Sequence, residues 1–187
     1  MSDQIQIPDA FPDSGSVTGK RGVITGSSRG LGTILAHAFS SGGASVALVS
    51  RTERDLKAVA QTLAGASLVF CGDVTDEDFN EAVADAVAAE WGGLDVWICN
   101  AGISPVVGGP RDTAAAVWRQ VLDTNLTGAF LGARAATRVM GGGGRLIFTG
   151  SVLGERPRKG LSAYSASKAG LTGLAKSLAL DLAGAGI

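Results

Sequence analysis

Five short, almost wholly apolar runs recur along the chain: RGVIT at 21–25, SVALVS at 45–50, SLVFC at 67–71, LDVWIC at 94–99 and RLIFTG at 145–150. Each is too short for a buried helix and partly β-branched, so each predicts a strand. Apolarity on both faces predicts parallel strands covered by helices on either side. Between the runs, apolar positions repeat at helical spacing. Helices are predicted over Gly30 to Ser41, and from a Thr52 cap through Leu63 with Glu53 and Asp55 in the first turn. Others are predicted from a Thr75 or Asp76 cap through Trp91, over Asp112 to Met140 with a soft point at Gly128, and over Ser162 to Ala183. This alternation predicts an α/β fold, a doubly wound parallel sheet with right-handed crossovers and helices on both faces. GGGG at 141–144 reads as a flexible turn before the last strand rather than a phosphate loop.

Composition narrows the picture. At 187 residues the chain suits one domain, read as 20–187 behind a polar, proline-containing lead-in at 1–19 that is expected to lack order. The net charge of −1 offers no basic field for nucleic acid. The 28 glycines fall at the ends of apolar runs, without a repeat, which excludes a fibrous protein. No uncharged apolar stretch is long enough to span a bilayer, and the first residues lack the basic start and apolar core of a signal peptide. Cys71 and Cys99 sit in strand-like runs and are expected to be buried and reduced, which points to the cytoplasm. His37 stands alone, so no metal site is expected. Trp91, Trp97 and Trp118 read as core or helix-packing aromatics.

The chemistry starts at TGSSRGLG, Thr25 to Gly32, which follows the first strand and opens the first helix. Gly26, Gly30 and Gly32 let the chain turn tightly and approach a pyrophosphate without a Cβ in the way, and the helix N-terminus offers free N–H groups to phosphates. Ser28, Arg29 and Leu31 lie in the same turn and belong to the same candidate cofactor site. The glycine spacing is G-x-x-x-G-x-G rather than the commoner G-x-G-x-x-G. A second candidate is YSASK at 164–168, which holds the only tyrosine of the chain. Tyr164 and Lys168 are four apart near a helix start, so they share a face. A neighbouring ammonium favours a phenolate over a phenol, which suits Tyr164 to exchange a proton with a carbonyl or alcohol oxygen. Ser151 is expected to end the fifth strand, at the carboxyl edge where ligands of open α/β sheets sit, with its hydroxyl beside Tyr164.

Together these stretches resemble the short-chain dehydrogenase/reductase family, which implies a Rossmann fold and NAD(P)(H) as cofactor. The match in order and spacing runs from about Arg21 to the C-terminus. The resemblance implies that Asp73 and Val74 contact adenine and that Asn100, Ala101 and Gly102 line the cofactor. It also implies that Asn125, Ser151, Tyr164 and Lys168 are the catalytic set, Asn125 holding a water and Lys168 the nicotinamide ribose. Cys99 stands where many relatives carry asparagine. Relatives also continue beyond AGAGI into further strands that close the substrate pocket, so the chain is expected to be truncated at its C-terminus. Arg51, just after the second strand, and Arg29 favour NADP(H) through the 2′-phosphate, with NAD(H) as the alternative. The expected activity is hydride transfer between NADP(H) and a small ketone or alcohol, close to 3-oxoacyl-carrier-protein reductases and sugar or polyol dehydrogenases. The alternative is a non-catalytic nucleotide-binding module. The resemblance further implies a homodimer or homotetramer built on the helices of Asn125 and Tyr164, whose apolar residues include Val121, Leu122, Phe130 and Leu131.

Overall fold

The computed structural model describes residues 17–106 and 108–187. The lead-in expected at 1–19 therefore lies outside the described residues up to position 16. Gly19 already donates its N–H to the Gly43 carbonyl at 2.9 Å and belongs to the folded body. The elements run β1 (Arg21–Thr25), α1 (Gly30–Ser41), β2 (Ser45–Ser50), α2 (Glu53–Ala60), β3 (Ser67–Cys71), α3 (Glu77–Trp91), β4 (Leu94–Cys99), α4 (Ala115–Leu122), a π-helical turn (Asp123–Thr127), α5 (Gly128–Val139), β5 (Met140–Phe148) and α6 (Ser162–Asp181). All five strands pair in parallel in the order β3-β2-β1-β4-β5.

The central strands β1, β2 and β4 are apolar on both sides because both sides are covered. On one face Val23, Ala47, Val49 and Trp97 pack with Val83 and Val87 of α3 and Ala129 and Ala136 of α5. On the other, Ile24, Val46, Leu48 and Ile98 pack with Ala36 of α1 and Leu56 of α2. The chain runs outward from β1 to β3, then returns through α3 to β4 on the other side of β1. That reversal opens a crevice at the carboxyl ends of β1 and β4, the usual ligand position in such sheets.

Several boundaries differ from the sequence reading, each for a local reason. α2 ends at Ala60 instead of Leu63, and Thr52 precedes it without a side-chain cap. Asp76 caps α3, accepting the Phe79 N–H. The long helix begins at Ala115 instead of Asp112 and passes through the π turn before Gly128. Gly128 is a point of close approach instead of softness, since an added Cβ would lie 2.9 Å from Val74 Cγ2 and 3.0 Å from its carbonyl oxygen. α6 stops at Asp181 instead of Ala183. β5 starts at Met140 and takes in the four glycines as a bulge, because Leu94 pairs with Met140 while Val96 pairs with Arg145. It ends at Phe148, so Ser151 lies beyond the strand. Cys71 is exposed, since β3 is a sheet edge and Cys71 its last residue; Cys99, on an inner strand, is buried. Trp97 is fully buried and Trp91 packs on the core, but Trp118 is exposed. Val121, expected on a partner-facing surface, is buried, whereas Phe130 is exposed. No helix among the described residues is long and apolar enough to cross a membrane.

At the amino ends of β1 and β4, Arg21 holds Asp95 through Nε at 2.7 Å and Nη2 at 3.1 Å, and its own N–H donates to Asp95 Oδ2 at 2.8 Å. Hydrogen bonding by Arg21 keeps the Asp95 carboxyl below its usual range, against a smaller opposing effect of burial. A carboxyl depressed in the folded state stabilises above the unfolded value and loses that contribution as pH falls from about 4 through the folded value. Asp95→Asn is expected to lower stability at neutral pH by about 1–2 kcal/mol, the pair being only partly buried. It should also flatten the acid limb of the unfolding curve. Denaturant melts at pH 7 and pH 3 check this; an unchanged difference between the two pH values would refute it.

Candidate active site

The crevice at the carboxyl ends of the strands is a cleft of about 610 Å³. Of the candidate cofactor residues, Gly26, Ser28, Arg29, Gly30 and Leu31 form one wall. Arg51, Asp73 and Val74 line it from the β2 and β3 ends, and Asn100, Ala101 and Gly102 from the β4 end. Gly32 lies beneath the turn and does not line the cleft. The turn depends on its glycines. Gly26 has φ +68°, and a Cβ there would lie 2.8 Å from Ala101 Cα. A Cβ on Gly32 would lie 2.2 Å from the Gly26 carbonyl oxygen. At Gly26 and Gly30 main chain therefore faces the cleft, with the first turn of α1 behind it, a cradle of the kind that accepts a pyrophosphate.

Thr25 and Thr149, which had no role in the sequence reading, hold this wall to its neighbours together with Asn100. Thr25 is buried, and its Oγ1 donates to the Ile98 carbonyl at 3.1 Å while accepting the N–H groups of Asn100 at 2.9 Å and Ala101 at 3.0 Å. Asn100 turns its side chain inward, donating to the Thr25 carbonyl at 2.9 Å and accepting from Thr149 Oγ1 at 3.2 Å. One threonine and one asparagine thus tie together the ends of β1, β4 and β5. The signal for Thr25 was its place as the last strand residue before the glycine turn. Ser50, Thr52, Asp55, Gly72, Ile103 and Thr124 also face the cleft, with no sequence signal beyond their closeness to the strand ends. Arg51 lies 3.9 Å from Asp73 Oδ2, with both side chains well exposed, and Arg29 is exposed beside the turn.

The four candidate catalytic residues do not line this cleft; two of them, Asn125 and Lys168, stand behind Gly102. A Cβ on Gly102 would lie 3.3 Å from Asn125 Oδ1 and 3.8 Å from Lys168 Nζ, so this glycine separates the cleft from both. Tyr164 and Lys168 share the first turns of α6, with the Lys168 ammonium 5.8 Å from the phenol ring centre. Lys168 is buried and donates to the Thr149 carbonyl at 2.6 Å. Burial pushes its ammonium below the ordinary lysine value. Beneath it, burial drives the Cys99 thiol up to about 12, so the thiol is neutral at neutral pH and leaves the ammonium without a counter-charge there. The Cys99 S–H instead donates to the Ala129 carbonyl at 3.3 Å. Ser151 precedes a single 3₁₀ turn and accepts the Leu153 N–H at 3.2 Å, which leaves its hydroxyl proton for another partner. Asn125, in the π turn, clamps Ile103: its Oδ1 accepts the Ile103 N–H at 2.8 Å and its Nδ2 donates to the Ile103 carbonyl at 2.9 Å. Among the described residues there is no cluster of metal-ligating side chains.

The chain has known relatives. The family model described as short chain dehydrogenase matches residues 20–187. The chain is 36% identical over 169 residues to the cis-4-hydroxycyclohexanecarboxylate dehydrogenase of Sinomonas cyclohexanicum, covering 88% of this chain and 68% of that protein. It is 34% identical over 176 residues to the 3-oxoacyl-[acyl-carrier-protein] reductase of Escherichia coli, covering 90% and 70%. Among solved structures, a short chain dehydrogenase from Burkholderia cenocepacia in complex with NADP superposes with TM-score 0.86 at 35% identity, over 91% of this chain and 71% of that one. Another, from Mycobacterium smegmatis, does so with TM-score 0.90 at 28% identity, over 97% and 78%. The chain therefore spans about two thirds to three quarters of the length of these relatives.

Proposed function

Because the chain belongs to the short-chain dehydrogenase family of NAD(P)-dependent oxidoreductases, we propose that it moves a hydride between NADP(H) and a ketone or secondary alcohol, with Tyr164 as proton donor and acceptor. The observation that carries this reading is the buried Lys168 ammonium beside the chain's only tyrosine, directly behind the wall of a glycine-built cleft. The glycine cradle fits a pyrophosphate, and Gly26, Ser28, Gly30 and Leu31 would hold it. Asp73 and Val74 would take the adenine, and Ala101, Gly102 and Lys168 the nicotinamide end. When bound, the dihydronicotinamide supplies the hydride. The chain's own groups handle the proton and the orientation. Ser151 holds the substrate oxygen with its free hydroxyl proton. Tyr164 gives that oxygen a proton during reduction and removes one during oxidation. Lys168 stabilises the phenolate left behind. Asn125 keeps the Ile103 main chain in place at the cleft wall. The related enzymes named for hydroxycyclohexane and oxoacyl substrates support an alcohol or ketone as the reacting group. Self-association through the helices of Asn125 and Tyr164, where Phe130 is exposed on α5, belongs to the same reading.

NADPH oxidation with a panel of ketones, followed by loss of dihydronicotinamide absorbance, tests the activity. Turnover supports the reading, and tight binding without turnover would favour a nucleotide-binding module. The cofactor preference rests on Arg51 and Arg29 at the mouth. Arg51→Ala is expected to weaken NADPH binding about fivefold, on the order of 1 kcal/mol for an exposed charged contact, and to leave NADH binding unchanged. Equal losses for the two cofactors in parallel titrations would contradict a 2′-phosphate contact.

A further inference from the structure

Ser167 is the least accessible residue of YSASK, with 0% of its surface exposed. Its hydroxyl has two partners on two different elements. Oγ–H donates to the Tyr164 carbonyl at 2.7 Å, one turn back on α6. The same oxygen accepts from Asn125 Nδ2 at 3.0 Å, in the π turn. The remaining hydrogen-bonding atoms of the Asn125 amide are committed to both main-chain groups of Ile103, at 2.8 and 2.9 Å. The chain of contacts therefore runs from the cleft wall at Ile103, through Asn125, through one serine hydroxyl, to the backbone of Tyr164. No other hydroxyl among the described residues bonds to Asn125.

We propose that Ser167 is a positioning residue for the reaction, setting the first turn of α6 against the cleft wall so that the Tyr164 phenol meets the substrate oxygen; this rests on the reading of Tyr164 as proton donor. A serine inside a helix that bonds back to the carbonyl three residues earlier gives that helix little stability and often bends it. Here the bond orients the hydroxyl, turning its lone pairs toward Asn125. The main-chain carbonyl it holds belongs to the residue that carries the phenol. Lys168, the next residue, has a separate anchor in the Thr149 carbonyl. Loss of the Ser167 hydroxyl should thus displace Tyr164 relative to the cleft and leave the lysine where it is.

The test uses Ser167→Ala, which removes both hydrogen bonds and favours helix, and Ser167→Cys, which keeps the size with a weak donor. Because Tyr164 is the only tyrosine, protein labelled with ¹³C-tyrosine gives a single ring signal that reports its position without cofactor or substrate. For Ser167→Ala the ring signal should move or broaden. Its kcat should fall about tenfold, the scale on which small misplacements act, with NADPH affinity unchanged. Ser167→Cys should lie between the alanine variant and the parent. If the alanine variant does not fold, the cysteine variant is read by the same two measurements. An unmoved ring signal in the folded variant would overturn the proposal, and so would a kcat equal to the parent's or a loss matched by weaker NADPH binding. Failure of the underlying reading looks different: Tyr164→Phe would then keep its turnover, whatever Ser167 does to the ring signal.

Discussion

Replacing Tyr164 with phenylalanine is expected to lower turnover roughly 10²- to 10⁴-fold, the range that a positioned general acid contributes, while NADPH binds as before. The substitution removes one oxygen. The ring can keep its place on α6 beside the Lys168 ammonium, which lies 5.8 Å from the ring centre. Lys168 keeps its bond to the Thr149 carbonyl, because that contact does not involve the phenol. A selective loss in kcat would therefore assign the proton to Tyr164. The measurement is a pair: steady-state rates with a ketone substrate, and a fluorescence titration with NADPH. A variant with parental turnover would remove Tyr164 from the mechanism, and one that lost both properties would make it a structural residue.

The second large effect is expected at Gly32. Alanine there would place its Cβ 2.2 Å from the Gly26 carbonyl oxygen and 2.8 Å from Asn100 Nδ2. Neither neighbour can yield easily. The first is main chain of a turn already at φ +68°. The second is an amide held by Thr25 and Thr149, which itself joins three strand ends. Relief requires the turn to lift from the strand ends and into the cleft. Gly32→Ala is expected to cost about 1–3 kcal/mol or more in stability, as overpacking at rigid sites does. It should also weaken NADPH binding by an order of magnitude or more, although Gly32 does not face the cleft. Thermal melts and cofactor titration on the same preparation check both parts. Undiminished binding would show that the turn does not need its close approach.

How much of this could be read from the residues alone varies with what encodes it. The inner strands were legible because burial on both faces demands uninterrupted apolar runs, and four of five strands fall on the residues predicted for them. β5 was legible only from Arg145 to Phe148, because its first half holds four glycines whose place in the strand comes from pairing with β4, a contact that no local pattern records. Cys71 was misread for a related reason. An edge strand and an inner strand share the same apolar alphabet, and only the strand order tells them apart. The candidate site residues stood out where the chemistry needs rare residue types in a fixed spacing, as with the glycines and Tyr164–Lys168. The supports, Thr25, Thr149 and Ser167, are common polar residues whose importance lies in partners 75, 19 and 42 positions away. The π turn around Asn125 was illegible too, since its residues keep helical spacing.

The central claim is hydride transfer from a nicotinamide held in the glycine cleft to a carbonyl carbon whose oxygen Tyr164 protonates. Reduction of a ketone with NADPH carrying deuterium at the transferable position of C4, followed by mass analysis of the alcohol, tests it most directly. The account predicts one deuterium on the carbinol carbon of the product, in parent protein and, far more slowly, in Tyr164→Phe. Alcohol formed without deuterium at that carbon, or NADPH bound with no alcohol formed, would contradict it.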